Sequence, residues 1–411
     1  KSQDKPFAID KWAVWEAYRR VRANKGAAGV DGQSIDDFER DRNANLYRIW
    51  NRMSSGSYFP PPVREVEIPK ADGQGVRTLG IPTVADRVAQ TVAALTLEPR
   101  TDSIFHDDSY GYRPGRSPLM AVEKCRERCW KNNWVVEIDI SRFFDSVDHE
   151  LVVRAVEVNI TPEQKWVVLY VRRWLTAPLV LPDGRMVETS QGSAVSPVLA
   201  NLFMHYAFDS WLDREFPTVE FERFADDAVV HCKTEGMARR VWAALGERME
   251  EVGLRLHPDK TRIVYCKDRR RNGSFEATSF TFLGYTFQAR KAPTKDRRSI
   301  FAAFLPAVSR NALKKMGGVV RRWRINLRTT DDLAALAEWM NPVLRGWMNY
   351  YGKFYRTELD GLLRRVNTYL VRWARRKFKR LRSFKKAKRW WNGLLRRQPR
   401  LFAHWVWMTE F

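Results

Sequence analysis

Cysteine, histidine and acidic side chains are all scarce in this chain of 411 residues, which has 4 Cys, 6 His and 48 Asp+Glu against 72 Lys+Arg. No run of 18 apolar residues occurs, and the amino terminus carries no hydrophobic segment of the secretory kind. Neither a membrane span nor an export signal is therefore expected, and the reading is an intracellular protein. Cys125, Cys129, Cys232 and Cys266 form no CxxC pair. Cys125 and Cys129 have the i,i+4 spacing of one helix face but no histidine near them in sequence, so all four are read as reduced structural thiols and no zinc site is expected. No internal repeat is visible. The shortage of acid leaves a net charge of +24, which attracts polyanions and gains from releasing their counterions, so nucleic acid is the expected partner.

With 44% apolar residues the chain can bury a sizeable core in two or three domains. Its positive charge is uneven: residues 301–411 hold 26 Lys+Arg and 6 Asp+Glu, so +20 of the total lies there. Any single one of these cations reads as part of a solvated face. Between Arg372 and Lys379 and between Lys385 and Arg389, however, they alternate with Trp373, Phe378, Trp390 and Trp391, a pattern suited to phosphate contacts beside stacking platforms.

Apolar spacing predicts a helix over 8–25, broken by three glycines between Lys25 and Gly32. Alternation predicts a strand over 63–69, a turn at Asp72-Gly73-Gln74-Gly75 and a returning strand over 76–81. A helix follows from Thr83, with Asp86 completing a capping pair and Pro99 stopping it. Next come a strand to Asp139, helices near 147–158 and 161–175, a hairpin at Pro182-Asp183-Gly184, a helix over 196–214, a hairpin at Asp226-Asp227 and a helix over 235–252 ended by Gly253. Strands and helices without regular alternation argue an α+β domain with an antiparallel sheet. Beyond Pro306 the pattern turns helical, and a domain boundary is expected at 291–306.

Two features carry chemistry. The apolar strand Val135-Val136-Glu137-Ile138 runs into Asp139, and about ninety residues later Phe224-Ala225-Asp226-Asp227 is flanked by apolar residues on both sides. A carboxylate at the end of a buried strand must have its desolvation repaid, and two such edges facing each other would hold divalent cations. A lone Asp-Asp pair is ordinarily a solvated turn; Asp139 is what makes it a candidate metal site. Two Mg²⁺, with Mn²⁺ as a substitute, would serve phosphoryl transfer from a nucleoside triphosphate to a 3′ hydroxyl.

Further motifs occur in a telling order. Glu137 to His149 (EIDISRFFDSVDH) is followed by Gln191-Gly192-Ser193-Ala194-Val195-Ser196-Pro197, the Phe224 to Asp227 turn, Gly253-Leu254-Arg255-Leu256-His257-Pro258-Asp259-Lys260-Thr261, and Phe282-Leu283-Gly284-Tyr285. Ahead of them stand Asn24-Lys25-Gly26 through Asp31-Gly32 and Tyr110 to Ser117 (YGYRPGRS); after them comes Asn341 to Tyr351 (NPVLRGWMNYY). Over nearly its whole length the chain resembles the group II intron reverse transcriptases, also called maturases. The resemblance implies a right-hand polymerase: a finger extension over 1–60, fingers and palm with an antiparallel sheet over 61–295, an all-helical thumb or domain X over 296–375, and a basic segment over 376–411 that is either a reduced DNA-binding region or a holder of structured intron RNA.

The resemblance also implies roles. Asp139, Asp226 and Asp227 would be catalytic metal ligands, with Ile140 beside them at the metal and the nucleotide. Lys260 would protonate the leaving pyrophosphate, with a plain salt bridge as the alternative. Phe144 would exclude a ribose 2′ hydroxyl, Phe143 being the core residue of the pair. Lys70 and Arg77 would meet the triphosphate, though each also reads as a surface cation. Gln191 and Phe224 would line the nucleotide site, and Lys25, Arg113, Arg116, Gly192 and Pro197 the template and primer. Phe224 departs from the family's usual Tyr-Ala-Asp-Asp by one hydroxyl, which predicts altered nucleotide handling or fidelity with metal binding kept. Implied partners are an RNA template, a DNA or RNA primer, deoxynucleoside triphosphates and intron RNA, in the bacterial cytoplasm and on the nucleoid when DNA is bound. Oligomeric state stays open. The Cys and His ligands of the endonuclease that many family members add are missing from this sequence. Alternative readings are a domesticated relative in host defence or DNA repair, and an RNA-binding maturase with vestigial polymerisation.

Overall fold

The structure is a computed structural model that describes residues 5–69, 76–187, 197–294, 296 and 298–408, without the side chains of Arg77 and Asp145. The expected turn at 72–75 and three residues expected at the nucleotide and template, Lys70, Gln191 and Gly192, lie outside the described residues. The chain divides into two compact units, Lys1–Ile263 and Val264–Phe411. No helix among the described residues is long and apolar enough to cross a membrane.

In the first unit, β-branched alternation makes β1 (Val63–Pro69), which pairs antiparallel with β2 (Val76–Ile81), Ile68 standing opposite Arg77. β3 (Trp134–Ile138) has Trp134, Val135, Val136 and Ile138 buried, so both its faces are covered and it reads as one apolar run. The short strands β4 (Leu179–Val180) and β5 (Met186–Val187) form the hairpin expected around Asp183. β4 also lies parallel to β1, a pairing that an antiparallel expectation did not contain. β6 (Glu220–Phe224) and β7 (Asp227–Cys232) form the hairpin that carries Asp226 and Asp227, and β7 pairs antiparallel with β3. The chain passes into the second unit within β8 (Arg262–Tyr265).

The helix expected to stop at Pro99 continues instead from Val84 to Ile104. Proline removes one backbone bond from a helix interior, but Val88, Val92, Leu97 and Thr101 are buried along this one, and packing outweighs the lost bond. Thr83 caps its start as expected, accepting from the Asp86 amide at 3.1 Å. The Asp86 carboxylate does not reach back to complete the cap. It is buried, and accepts from Tyr58 Oη at 2.8 Å, Trp174 Nε1 at 2.8 Å and Gln90 Nε2 at 2.9 Å. Burial pushes its pKa up to about 6, against the three hydrogen bonds, which pull it down. With a folded value above the unfolded one, the folded state binds more protons between about pH 4 and pH 6, so this group's contribution to stability falls as pH rises through that window. Asp86→Asn, which keeps an acceptor for Tyr58 and Trp174, is expected to raise stability at pH 7.5 by up to about 3 kcal/mol and to flatten that stretch of a chemical-denaturation pH profile; a variant less stable at pH 7.5 would refute this.

In the second unit, β9 (Ser279–Phe282), β10 (Tyr285–Pro293) and β11 (Ile300–Val308) form an antiparallel sheet in the order β11-β10-β9. Phe280 and Phe287 stack with centroids 4.6 Å apart, and Phe304 joins them. The units therefore part earlier than the boundary expected at 291–306, because this sheet packs with the helical region C-terminal to it: the Tyr285 hydroxyl donates to the Tyr350 carbonyl and its ring meets Phe354 edge-on. From Arg310 onward the chain is helical, with helices Arg310–Arg322, Leu333–Tyr351, Asp360–Lys377 and Phe384–Arg397.

The basic carboxy-terminal segment corrects one expectation. Trp373 and Trp391 are fully buried, so those two rings are not stacking platforms for bases, while the half-buried Phe378 and Trp390 pack against the same core. Their spacing is that of an amphipathic helix whose apolar stripe closes the unit while Arg372, Arg376, Lys385, Lys386, Lys388 and Arg389 face solvent. The last turn is pinned by two buried amides: Asn341 accepts from the Ala403 amide at 2.7 Å, and Asn367 Oδ1 takes Trp405 Nε1 at 3.0 Å and His404 Nε2 at 2.6 Å.

Candidate active site

The β6-β7 hairpin is closed by two residues, Ala225 and Asp226, with Phe224 paired to Asp227 across it. Ala225 sits at φ 59°, which costs a non-glycine residue on the order of 1–3 kcal/mol unless its surroundings hold it. They do. Arg223 Nη1 donates to the Ala225 carbonyl at 2.8 Å, and the same guanidinium binds both Asp209 oxygens (2.7 and 2.6 Å), Asn201 Oδ1 (3.0 Å) and Ser109 Oγ (2.9 Å). Arg223 and Asp209 are both fully buried. Alongside, the segment before Gly111 pairs with β6 through Arg223 N to Asp108 O (2.9 Å) and Tyr110 N to Arg223 O (2.8 Å). Gly111 lies against the turn itself, where a Cβ would stand 2.5 Å from Ala225 N and 3.1 Å from Phe224 C. Asn201 Nδ2 fixes the Gly111 carbonyl at 2.5 Å. The turn is thus held by buried charge and backbone contact from three chain segments.

Asp139 comes off the end of β3 one residue past Ile138, which pairs with Ala228, so β3 delivers it beside Asp227. Its backbone is tied down by His257 N to Asp139 O (2.8 Å) and by Thr261 Oγ1 to the same carbonyl (3.2 Å). Lys260 Nζ stands 3.5 Å from Asp139 Oδ2, and Arg262 Nε binds Glu137 Oε2 at 2.7 Å. Two of the carboxylates, Asp226 and Asp227, have raised proton affinity. Burial pushes the Asp226 carboxyl upward and the Asp139 charge adds to it. Asp227 is pushed up to about 7 by burial, then Asp226, Asp139 and Glu137, with Lys260 opposing.

Like charges crowded at the end of a sheet are what a divalent cation with oxygen ligands relieves, so these residues fit hard metal ions. Among the described residues the three aspartates do not form one tightly closed ligand group.

The other expected site residues divide. Phe143 is buried and Phe144 is exposed, its ring edge-on to Phe143 at 5.1 Å, so one is core and the other is presented. Ile140 is buried and bridges to Leu256, beside Asp139. Pro197 opens the helix Pro197–Met204. Phe224 meets Tyr112 at 6.0 Å and, with Tyr110, Arg113, Pro114 and Arg116, lines a cavity of about 450 Å³ behind the turn. Arg113 corrects an expectation: its guanidinium is spent on Asp102 (2.6 Å) and on the carbonyls of Asp102, His106 and Ser109, so it props the loop instead of reaching a template. Arg116 pairs with Asp107 at 3.1 Å at the cavity's edge. Lys25 is exposed at φ 56°, and Arg87 clamps its carbonyl (3.2 Å) and that of Ala27 (2.9 Å). Arg77 lies in β2. Sequence reasoning missed Arg223 and Asp209; the available signal was a charge inside the apolar strand Phe221-Glu222-Arg223-Phe224, which demands a buried partner.

A hairpin carrying two aspartates beside a strand that ends in a third, on an antiparallel sheet backed by helices, is the arrangement expected of the palm of a nucleic-acid polymerase. Comparison with known proteins narrows the class. The reverse transcriptase (RNA-dependent DNA polymerase) family pattern matches residues 68–287, more than half of the chain, and the group II intron maturase-specific domain matches residues 313–391. The chain belongs to the reverse transcriptase family and is of the group II intron maturase type, whose polymerase domain uses divalent metal ions and whose domains act on nucleic acid. It is 28% identical over 332 residues to protein YkfC of Escherichia coli (strain K12), covering 69% of this chain and 82% of that protein. It is 28% identical over 256 residues to the group II intron-encoded protein LtrA of Lactococcus lactis subsp. cremoris, covering 60% of this chain and 42% of LtrA. Against a putative COX1/OXI3 intron 1 protein of Saccharomyces cerevisiae it is 27% identical, spanning 24% of that protein. The chain thus spans less than half of the intron-encoded relatives named here.

Proposed function

We propose that this protein extends a primer on an RNA template with deoxynucleoside triphosphates, and that its second unit holds intron RNA and so assists splicing and retrohoming. The observation that carries the first part is the convergence of Asp139 with Asp226 and Asp227, whose raised proton affinities mark carboxylates crowded in a partly desolvated place. Two magnesium ions bound there would neutralise charge on the phosphoryl oxygens and lower the pKa of the 3′ hydroxyl. The residues' own tasks follow from their positions. Asp139, Asp226 and Asp227 offer oxygen ligands from two strand ends, a placement kept rigid by the Arg223–Asp209 pair. Lys260, paired with Asp139 at 3.5 Å, balances the acidic cluster and lies where it can give a proton to the leaving pyrophosphate. Phe144, exposed beside buried Phe143, presents its ring at the nucleotide sugar. Arg77 and Arg116 serve the triphosphate and the template. For the second unit, the match to the maturase-specific domain and the exposed cations along Asp360–Lys377 and Phe384–Arg397 support RNA phosphate contacts.

Magnesium-dependent extension of a DNA primer on an RNA template by the purified chain tests the reading; its absence under conditions where the chain binds RNA would leave an RNA-holding maturase. A sharper expectation concerns sugar choice. Phe144→Ala should raise ribonucleotide relative to deoxynucleotide incorporation by roughly 10²-fold, with deoxynucleotide kcat little changed. Unaltered selectivity would mean that Phe144 does not face the sugar.

A further inference from the structure

Tyr112 holds a strained backbone beside the Ala225-Asp226 turn and takes no part in the proposed chemistry. Its φ of 53° is one that a bulky residue adopts only where the surroundings impose it, and such outliers gather at ligand clamps. Both neighbours impose it here. Gly111 is pressed against Ala225 with its carbonyl taken by Asn201 Nδ2 at 2.5 Å, and Arg113 is tied to Asp102 at 2.6 Å. The ring that this backbone presents is 56% exposed and meets the Phe224 ring at 6.0 Å and 45°. Burial therefore does not repay the strain.

Register fixes where the two rings stand. Phe224 pairs with Asp227 across the hairpin and Ile138 pairs with Ala228, so one residue further on Asp139, Asp227 and Phe224 form a row on one face of the sheet, with Tyr112 next to it. The arginines lining the cavity beside Phe224 already have partners: Arg20 pairs with Glu98 at 3.2 Å, Arg113 with Asp102, and Arg116 with Asp107 at 3.1 Å. The Tyr110 hydroxyl is spent on Asp108 at 3.1 Å. Among the described residues, none hydrogen-bonds the Tyr112 hydroxyl. What this wall offers a ligand is an aromatic face and a neutral hydroxyl, which suit the edge of a base, where a phosphate would call for free cations. The hydroxyl that position 224 lacks relative to Tyr-Ala-Asp-Asp is present on the ring beside it.

We propose that Tyr112 and Phe224 carry the last base pair of the primer–template, the Tyr112 hydroxyl donating to the minor-groove acceptor of the primer's 3′-terminal base. This rests on the polymerase reading of the same site. Cross-strand partners stand about 5 Å apart, so a primer end placed for reaction at Asp139 and Asp227 has its own base over the adjoining rings. An RNA–DNA hybrid is close to A-form, and its wide, shallow minor groove lets a side chain as short as tyrosine reach base edges. Purine N3 and pyrimidine O2 lie there in every Watson–Crick pair, so one donor serves all sequences, as a template-directed enzyme requires. Tyr112 thereby positions the primer end and moves no proton.

The test pairs one atom of the protein with one atom of the primer. Extension by the purified full chain is followed on an RNA template with a DNA primer ending in 2′-deoxyadenosine or in 3-deaza-2′-deoxyadenosine, which keeps the pairing edge and replaces N3 by C–H. For the parent chain the analogue should lower kcat/KM for the next nucleotide by roughly 3- to 10-fold, the worth of one neutral hydrogen bond. Tyr112→Phe should show the same loss with the natural primer and no further loss with the analogue. The same combinations compared by fluorescence anisotropy in chelator, where nothing is extended, should repeat the pattern in the dissociation constant. A parent indifferent to the analogue in both measurements, or a Tyr112→Phe chain as sensitive to it as the parent, would overturn the contact. Failure of the parent to extend the natural primer would instead remove the polymerase reading, and the binding comparison would then decide the contact by itself.

Discussion

Asp226→Asn is expected to abolish primer extension, lowering kcat by at least roughly 10³-fold, or about 4 kcal/mol of barrier, while the chain stays folded. The replacement keeps the shape of the side chain at the turn and removes one of four carboxylates that face each other, Glu137, Asp139, Asp226 and Asp227. Loss of a like charge relieves repulsion, so the melting temperature should stay level or rise as activity disappears, the trade common at strained functional sites. Primer–template affinity, which depends on basic surface, should be little changed. A variant that extends primers at a tenth of the parent rate or better would place the metal ligands elsewhere.

Gly111→Ala is the second large effect, and it acts without touching a carboxylate. The new methyl would stand 2.5 Å from Ala225 N, and the obstacle is backbone that Arg223, Asn201 and the β6 pairing hold in place. Relief must come from a shift of the Ala225-Asp226 turn. A displacement near 1 Å of a reacting constellation costs on the order of 10²-fold in rate, and overpacking of this kind costs about 1–3 kcal/mol of stability. We expect kcat to fall by roughly that factor while KM for the nucleotide changes far less, measured by steady-state extension at 20 °C beside a thermal melt. Parental kinetics with a parental melting temperature would show that the turn has room which the structure denies it.

The Asp226-Asp227 turn stood out in the sequence as a candidate metal site because its chemistry conflicts with its surroundings. An apolar run that ends in Asp139 and an Asp-Asp pair between apolar strands make sense only if something repays the desolvation. The resemblance singled out Phe144 and left Phe143 as the core residue of the pair, and the structure buries Phe143 and exposes Phe144. The elements positioning the site follow the patterning as well, from the β6-β7 hairpin to the helix Glu235–Glu251. Where local rules failed, packing had outvoted them. Pro99 did not end its helix, because burial on both sides of it outweighs one lost backbone bond. Trp373 and Trp391 looked like stacking platforms because alternation with cations is shared by nucleic-acid clefts and by amphipathic helices, and the core claimed them. Arg113 carries the charge of a template contact and is consumed by Asp102.

Periodicity and charge, both local quantities, predicted an α+β domain and a nucleic-acid partner, and the order of short motifs carried the resemblance to the reverse transcriptase family, with Asp139, Asp226 and Asp227 as candidate metal ligands. Pairings between residues distant along the chain were decided only by folding: Arg223 with Asp209 beneath the turn, Gly111 against Ala225, and Tyr112 beside Phe224. Burial is the physical reason. A side chain's alternation or spacing reports which face it occupies, but which partner waits on that face depends on how sheets and helices close over it, and the energy of a buried charge or thiol is set by that partner.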